Sequence, residues 1–69
     1  MRLSARNQLA GTIAAIDVGA VTTIVKVDLD GGQQITASIT KDAAEDLGLA
    51  VGARVTAVVK STEVMIGVD

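Results

Sequence analysis

Histidine, cysteine and every aromatic residue are missing from this 69-residue chain. Without cysteine there can be no disulfide and no thiolate-held zinc, and without Phe, Trp or Tyr a small core has none of the largest apolar side chains to fill it. A domain of this length buries only about 60% of the surface its unfolded chain exposes. Of the usual supports for so small a scaffold, oligomerisation is the one left. The 49% hydrophobic content points the same way, because strands covered on both faces by neighbouring copies need that much apolar sequence. A symmetric homo-oligomer of single-domain subunits, residues 1–69, is expected.

The absences also narrow the function. With no His or Cys, acid–base work would fall to carboxylates that lie in turns, on a helix or at exposed strand positions. No Gly-x-x-x-x-Gly-Lys loop and no Gly-x-Gly-x-x-Gly fingerprint is present for a nucleotide. The chain is therefore not expected to be an enzyme. A net charge of −2 and a pI near 4.8 argue against a nucleic-acid partner, whose phosphates demand a basic face. No apolar run approaches the roughly 20 residues that cross a bilayer, and Met1-Arg2-Leu3-Ser4 lacks the apolar core of a signal peptide. A cytoplasmic protein with no membrane partner is the expectation.

Alternation of apolar and polar residues dominates the rest. Leu3 to Ile16 reads as a long strand with Leu9, Gly11, Ile13 and Ala15 on one face and Ala10, Thr12, Ala14 and Ile16 on the other. Gly11 in mid-strand marks either a bulge or bend, or a place where a packed neighbour needs room. After the turn Asp17-Val18-Gly19-Ala20, Val21 to Asp30 places Val21, Thr23, Val25, Val27 and Leu29 inward, leaving Lys26, Asp28 and Asp30 as solvated charge. Gly31-Gly32, able to take positive φ at both central turn positions, joins it to Gln33 to Thr40, with Ile35, Ala37 and Ile39 inward.

Thr40 is placed to cap a short helix, Lys41 to Leu47, that Gly48 ends. Its stripe of Ala43, Ala44 and Leu47 would plug one end of a barrel, with Asp42, Glu45 and Asp46 on a solvated face. Arg54 to Lys60 is a fourth strand. After the Ser61-Thr62-Glu63 turn, Val64, Ile66 and Val68 alternate with Met65 and Gly67 in a fifth. The order predicts an all-β fold: a small five-stranded OB-fold-like barrel with one short helix between strands 3 and 4.

Fixed positive charge and hydrogen-bond donors coincide at two strand ends, Ser4-Ala5-Arg6-Asn7-Gln8 and Lys60-Ser61. Arg6 carries five N–H donors in a planar fork, Lys60 a compact ammonium, and Ser4 and Ser61 hydroxyls. Such a set suits an anion. The competing reading makes Arg6 and Lys60 ordinary surface cations paired with Asp17, Glu63 or Asp69.

SARNQLAG near the start, DAAEDLGL followed by VGARVTAVVKS, and the closing STEVMIGVD together resemble the molbindins, the stand-alone Mop domain, over Leu3 to Val68. The resemblance implies β-barrel subunits assembled as a hexamer, with molybdate or tungstate held by hydrogen bonds at subunit interfaces. By position, Ser4, Ala5, Arg6 and Asn7 of one subunit would meet Lys60 and Ser61 of another. It also implies sites near a threefold axis, with Gln8 and the Val18 to Thr22 turn as weak candidates. The oxyanion brings its metal already wrapped in oxygen, so no side chain need ligate it. Storage or buffering of the oxyanion is the implied role. The alternative is an oligomeric interaction module docking on a transporter or cofactor enzyme, with the anion as structural glue.

Overall fold

The computed structural model describes residues 1–69. It contains strands β1 (Asn7–Val18), β2 (Thr22–Leu29), β3 (Gln34–Thr40) and β4 (Arg54–Val59), with helix α1 (Lys41–Asp46) between β3 and β4. All pairings are antiparallel, in the order β3-β2-β1-β4. The sheet curls into half a barrel, so that residues of both edge strands, β3 and β4, border one apolar cleft.

Period-two alternation sets the core. Val25 and Val27 of β2 and Ile13 of β1 are buried, and Ile35, Ile39, Leu49 and Val55 pack around them. Only five of the 69 residues are buried, far fewer than the 49% hydrophobic content could supply.

β1 does not keep one face throughout. Ile13 sits opposite Val27 and Ala15 opposite Lys26, so Ala14 is an extra residue, a β-bulge. Beyond it the phase inverts and Ile16, not Ala15, turns to the core. This corrects the unbroken alternation read from the sequence, which counts residues but cannot register an unpaired one. The bulge is thus not at Gly11, whose role is room: a Cβ there would lie 2.6 Å from the Asp28 carbonyl oxygen and 2.8 Å from Val27 Cγ1.

The β2–β3 connection also differs in detail. The Gly32 N–H donates to the Leu29 carbonyl at 2.9 Å, and the Leu29 N–H to that of Gln33 at 2.7 Å. Of the two glycines only Gly32 takes positive φ, +99°. Three residues between the paired positions need one left-handed residue, whereas the expected two-residue turn needs two.

Thr40 ends β3 and caps α1, its hydroxyl accepting from the Ala43 N–H at 3.0 Å. Gly48, at φ +60°, ends the helical region as expected. Leu47 lies exposed rather than plugging the end; Leu49, released inward after Gly48, packs on the core instead. Replacing Thr40 with alanine is expected to cost about 0.5–2 kcal/mol of stability, the range for losing an N-cap. Urea denaturation checks this, and an unchanged midpoint would show that the cap contributes nothing.

The expected fifth strand is not formed. Residues 64–69 pair with nothing, and Met65, Ile66 and Val68 are 91%, 88% and 94% exposed. Alternation makes a segment fit to be a strand, but a strand exists only when a neighbouring backbone accepts its hydrogen bonds, and within one chain this segment meets none.

Candidate functional site

Pairing of β1 with β4 brings the two donor-rich stretches together. Asn7 lies opposite Val59, so the residues just before β1 and just after β4 emerge side by side. There Ser4, Ala5, Arg6, Lys60 and Ser61 line one open cleft of about 450 Å³, joined by Val58 and Thr62. The resemblance implies that these stretches meet from two different subunits; within one chain the fold already makes them neighbours.

The polar side chains of this cleft are uncommitted. Those of Ser4, Arg6, Lys60 and Ser61 make no hydrogen bond or ion pair within the chain. Asp17, Glu63 and Asp69, the acids that could have neutralised Arg6 and Lys60, do not approach either. The cleft thus presents two cations and three hydroxyls with no carboxylate on its walls.

Asn7 stands apart from the other expected residues. Its side-chain amide donates to the Val59 carbonyl at 3.2 Å, fastening β1 to β4, and it does not line the cleft. Gln8 donates to the Ala5 carbonyl at 2.9 Å and so shapes the approach to β1. Thr62 is an addition the sequence reading did not make. Its hydroxyl, next to Ser61 in the 3-10 turn Ser61–Glu63, was the available signal.

At the other end of the sheet the charges are spent on each other. Arg54 Nη1 donates to Asp30 Oδ1 at 2.7 Å and Nη2 to Oδ2 at 2.8 Å, while Nη1 also reaches Thr12 Oγ1 at 3.1 Å. These guanidinium hydrogen bonds hold the Asp30 carboxyl below its ordinary pKa, and the same bonds raise that of Arg54. The solvated role expected for Asp30 is corrected to a paired one, because the hairpin turn sets it beside the start of β4. Asp28 accepts from Gln34 Nε2 at 2.9 Å. This contrast singles out Arg6 and Lys60 as the cations that gather in a cleft without an acid.

Residues 3–66 match the TOBE domain family. The chain belongs to that family. Among relatives, the TOBE chain is 48% identical over 66 residues to molybdenum-pterin-binding protein 3 of Clostridium pasteurianum, covering 96% of this chain and 97% of that one. Its fold is similar to that of MopII from the same organism, with a TM-score of 0.92, 48% identity and coverage of 97% and 100% of the two chains. It is also similar to the cytoplasmic molybdate-binding protein ModG in its molybdate-bound form, with a TM-score of 0.94 and 48% identity. There the TOBE chain is covered completely and spans 49% of the other chain. The likeness to the Mop proteins read from the sequence therefore stands, and these relatives are named as binding proteins. No helix of the TOBE chain is long and apolar enough to cross a membrane.

Proposed function

We propose that this protein binds molybdate or tungstate as the free oxyanion, between the subunits of a cytoplasmic homo-oligomer with six chains, and so stores or buffers it. The observation that carries the reading is the acid-free cleft of Ser4, Ala5, Arg6, Lys60 and Ser61, whose polar side chains have no partner within the chain. A tetrahedral dianion offers only acceptors, and this cleft offers only donors of the strong, charge-assisted kind together with hydroxyls. The names of the relatives support molybdenum as the element concerned.

A pterin conjugate is the less suitable ligand. The cleft has no aromatic ring to stack on a flat heterocycle, and its lining is built of short side chains and two long cations. A shared site also explains the openness of the cleft: a wall supplied by a second subunit would enclose the anion. Asn7, tied to Val59, would then act by fixing the strand ends rather than by touching the ligand.

Selectivity tests the reading. Molybdate and tungstate, alike in charge, shape and size, are expected to bind with similar affinity, and sulfate and phosphate far more weakly. Sulfate has shorter bonds, so donors anchored on separate strand ends cannot all close to the 2.7 to 2.9 Å of a charge-assisted hydrogen bond. Phosphate near pH 7 is partly protonated and brings an O–H that Arg, Lys and backbone N–H groups cannot accept. Competition titrations at matched ionic strength decide the matter. Sulfate displacing molybdate at comparable concentration would reveal a generic anion site and remove the storage role.

A further inference from the structure

The turn between β2 and β3 contains the single Asp-Gly step of the chain, Asp30-Gly31. Because the Gly32 N–H donates to the Leu29 carbonyl at 2.9 Å, Asp30 and Gly31 are the two central residues of a four-residue turn. The Gly31 N–H donates to nothing. Gly31 has no side chain to shield that nitrogen, and the space where its Cβ would stand is open, with no atom within 4 Å. The Asp30 side chain beside it is 57% exposed, so solvent reaches both groups. An open backbone nitrogen and the carboxyl of the preceding residue are partners for closing a five-membered ring. We infer that Asp30-Gly31 is a site of spontaneous backbone modification, conversion to isoaspartate through a cyclic imide, and that the Arg54 guanidinium is the clamp that restrains it.

In the closing step the Gly31 nitrogen attacks Asp30 Cγ. The new C–N bond replaces the Cγ–OH bond, and the hydroxyl leaves with the amide proton as one water. A second water then opens the imide: addition at Cγ restores aspartate, whereas addition at the Asp30 main-chain carbonyl leaves the chain running through Cβ and Cγ, at unchanged mass. Only the protonated carboxyl has a hydroxyl to lose. Arg54 opposes the closure twice. Its Nη1 and Nη2 each hold one carboxylate oxygen, at 2.7 Å and 2.8 Å, so turning Cγ toward Gly31 breaks both bonds, and the same bonds keep the carboxyl ionised. The Asp30 N–H, donating to the Ala10 carbonyl at 3.0 Å, holds the main chain from the other side. An ion pair this exposed adds little to stability, so its effect is on a rate. The other internal aspartates lack the combination. After Asp28, Asp42 and Asp46 the next residue carries a Cβ and its N–H is spent: Leu29 on the Gln33 carbonyl at 2.7 Å, Ala43 on the Thr40 hydroxyl at 3.0 Å, Leu47 on the Ala43 carbonyl at 3.0 Å. Asp17 precedes the β-branched Val18. The inference is independent of the oxyanion and of the oligomeric reading.

Ageing the folded protein in mildly acidic, warm buffer tests it. Trypsin releases Val27 to Lys41 as one peptide, in which the isoaspartyl form separates from the aspartyl form by reversed-phase chromatography at equal mass. Electron-transfer fragmentation then assigns the altered residue, with Asp28 in the same peptide as the internal reference. Isoaspartate is expected to accumulate at residue 30 and not at 28, and to do so several-fold faster in Arg54→Ala. Arg54→Lys keeps the charge but loses the two-pronged grip, and is expected to fall between the parent and Arg54→Ala. Gly31→Ala is expected to suppress the product. Its new Cβ meets nothing within 4 Å and Gly31 is not among the glycines at positive φ, so that variant folds as the parent does. No isoaspartate at residue 30 in either the parent or Arg54→Ala overturns the site. Equal rates in those two proteins overturn the clamp, as does a rise at Asp28 equal to that at Asp30, which would mark general loosening of the hairpin.

Discussion

Replacing Ile13 with alanine is expected to lower the free energy of unfolding by about 2–5 kcal/mol, the range for emptying a buried aliphatic site. Ile13 is 1% exposed and is one of only three hydrophobic residues that are fully buried, with Val25 and Val27. Its neighbours are ill suited to collapse into the gap. Ile13 is paired across the sheet with Val27, and its backbone N–H donates to the Ala53 carbonyl at 3.0 Å while its carbonyl accepts from Gly52 at 2.8 Å. The backbone is thus clamped on both sides of the missing side chain. A domain of this size has a total stability of the order of 3–10 kcal/mol, so the substitution removes a large share of it. Urea denaturation with an unchanged slope and a strongly lowered midpoint is the result to look for. A shift below about 0.5 kcal/mol, the level of an ordinary surface change, would mean that the stabilising contacts lie between chains rather than around Ile13.

The second large effect concerns the anion cleft. Changing Arg6 to alanine is expected to weaken molybdate binding by about 1.5–3 kcal/mol, the range for hydrogen bonds to a charged group, which is about 10- to 150-fold in affinity. Arg54→Ala serves as the matched control, because it removes the same charge from a guanidinium already held in two hydrogen bonds by Asp30. Lys26→Ala removes an exposed cation on β2 that does not line the cleft. Both controls are expected to change affinity little. Equal losses at Arg6, Arg54 and Lys26 in calorimetric titration would indicate diffuse attraction over the surface in place of a site.

Most of the sheet is legible in the sequence, and the exceptions have a common cause. β2 and β3 alternate cleanly, and their inward sets Thr23, Val25, Val27 and Ile35, Ala37, Ile39 are those that turn to the core. The cap at Thr40 and the stop at Gly48 are local chemistry and can be read locally. The bulge at Ala14 and the unformed strand after Val64 cannot, because each depends on which backbone lies alongside. The same holds for the cleft. Residue types mark Ser4, Arg6, Lys60 and Ser61 as donors, but only the register of β1 on β4 gathers them, and only that register shows Asn7 turned to the Val59 carbonyl.

The bulge at Ala14 has a consequence for how this protein can vary. Asn7 to Thr12 hold one register against β4, while β2 is held in two registers, by Gly11 to Ile13 before the unpaired residue and by Ala15 to Val18 after it. The spacing of Arg6 and Lys60 is set wholly by the first register. A residue gained or lost near Gly19 and Ala20 would bear on the pairing with β2 and leave the pairing of Asn7 to Thr12 with β4 in place. The end of the sheet that carries the helix is therefore free to drift in length between descendants of this sequence, while the end that carries the cations inherits its geometry unchanged.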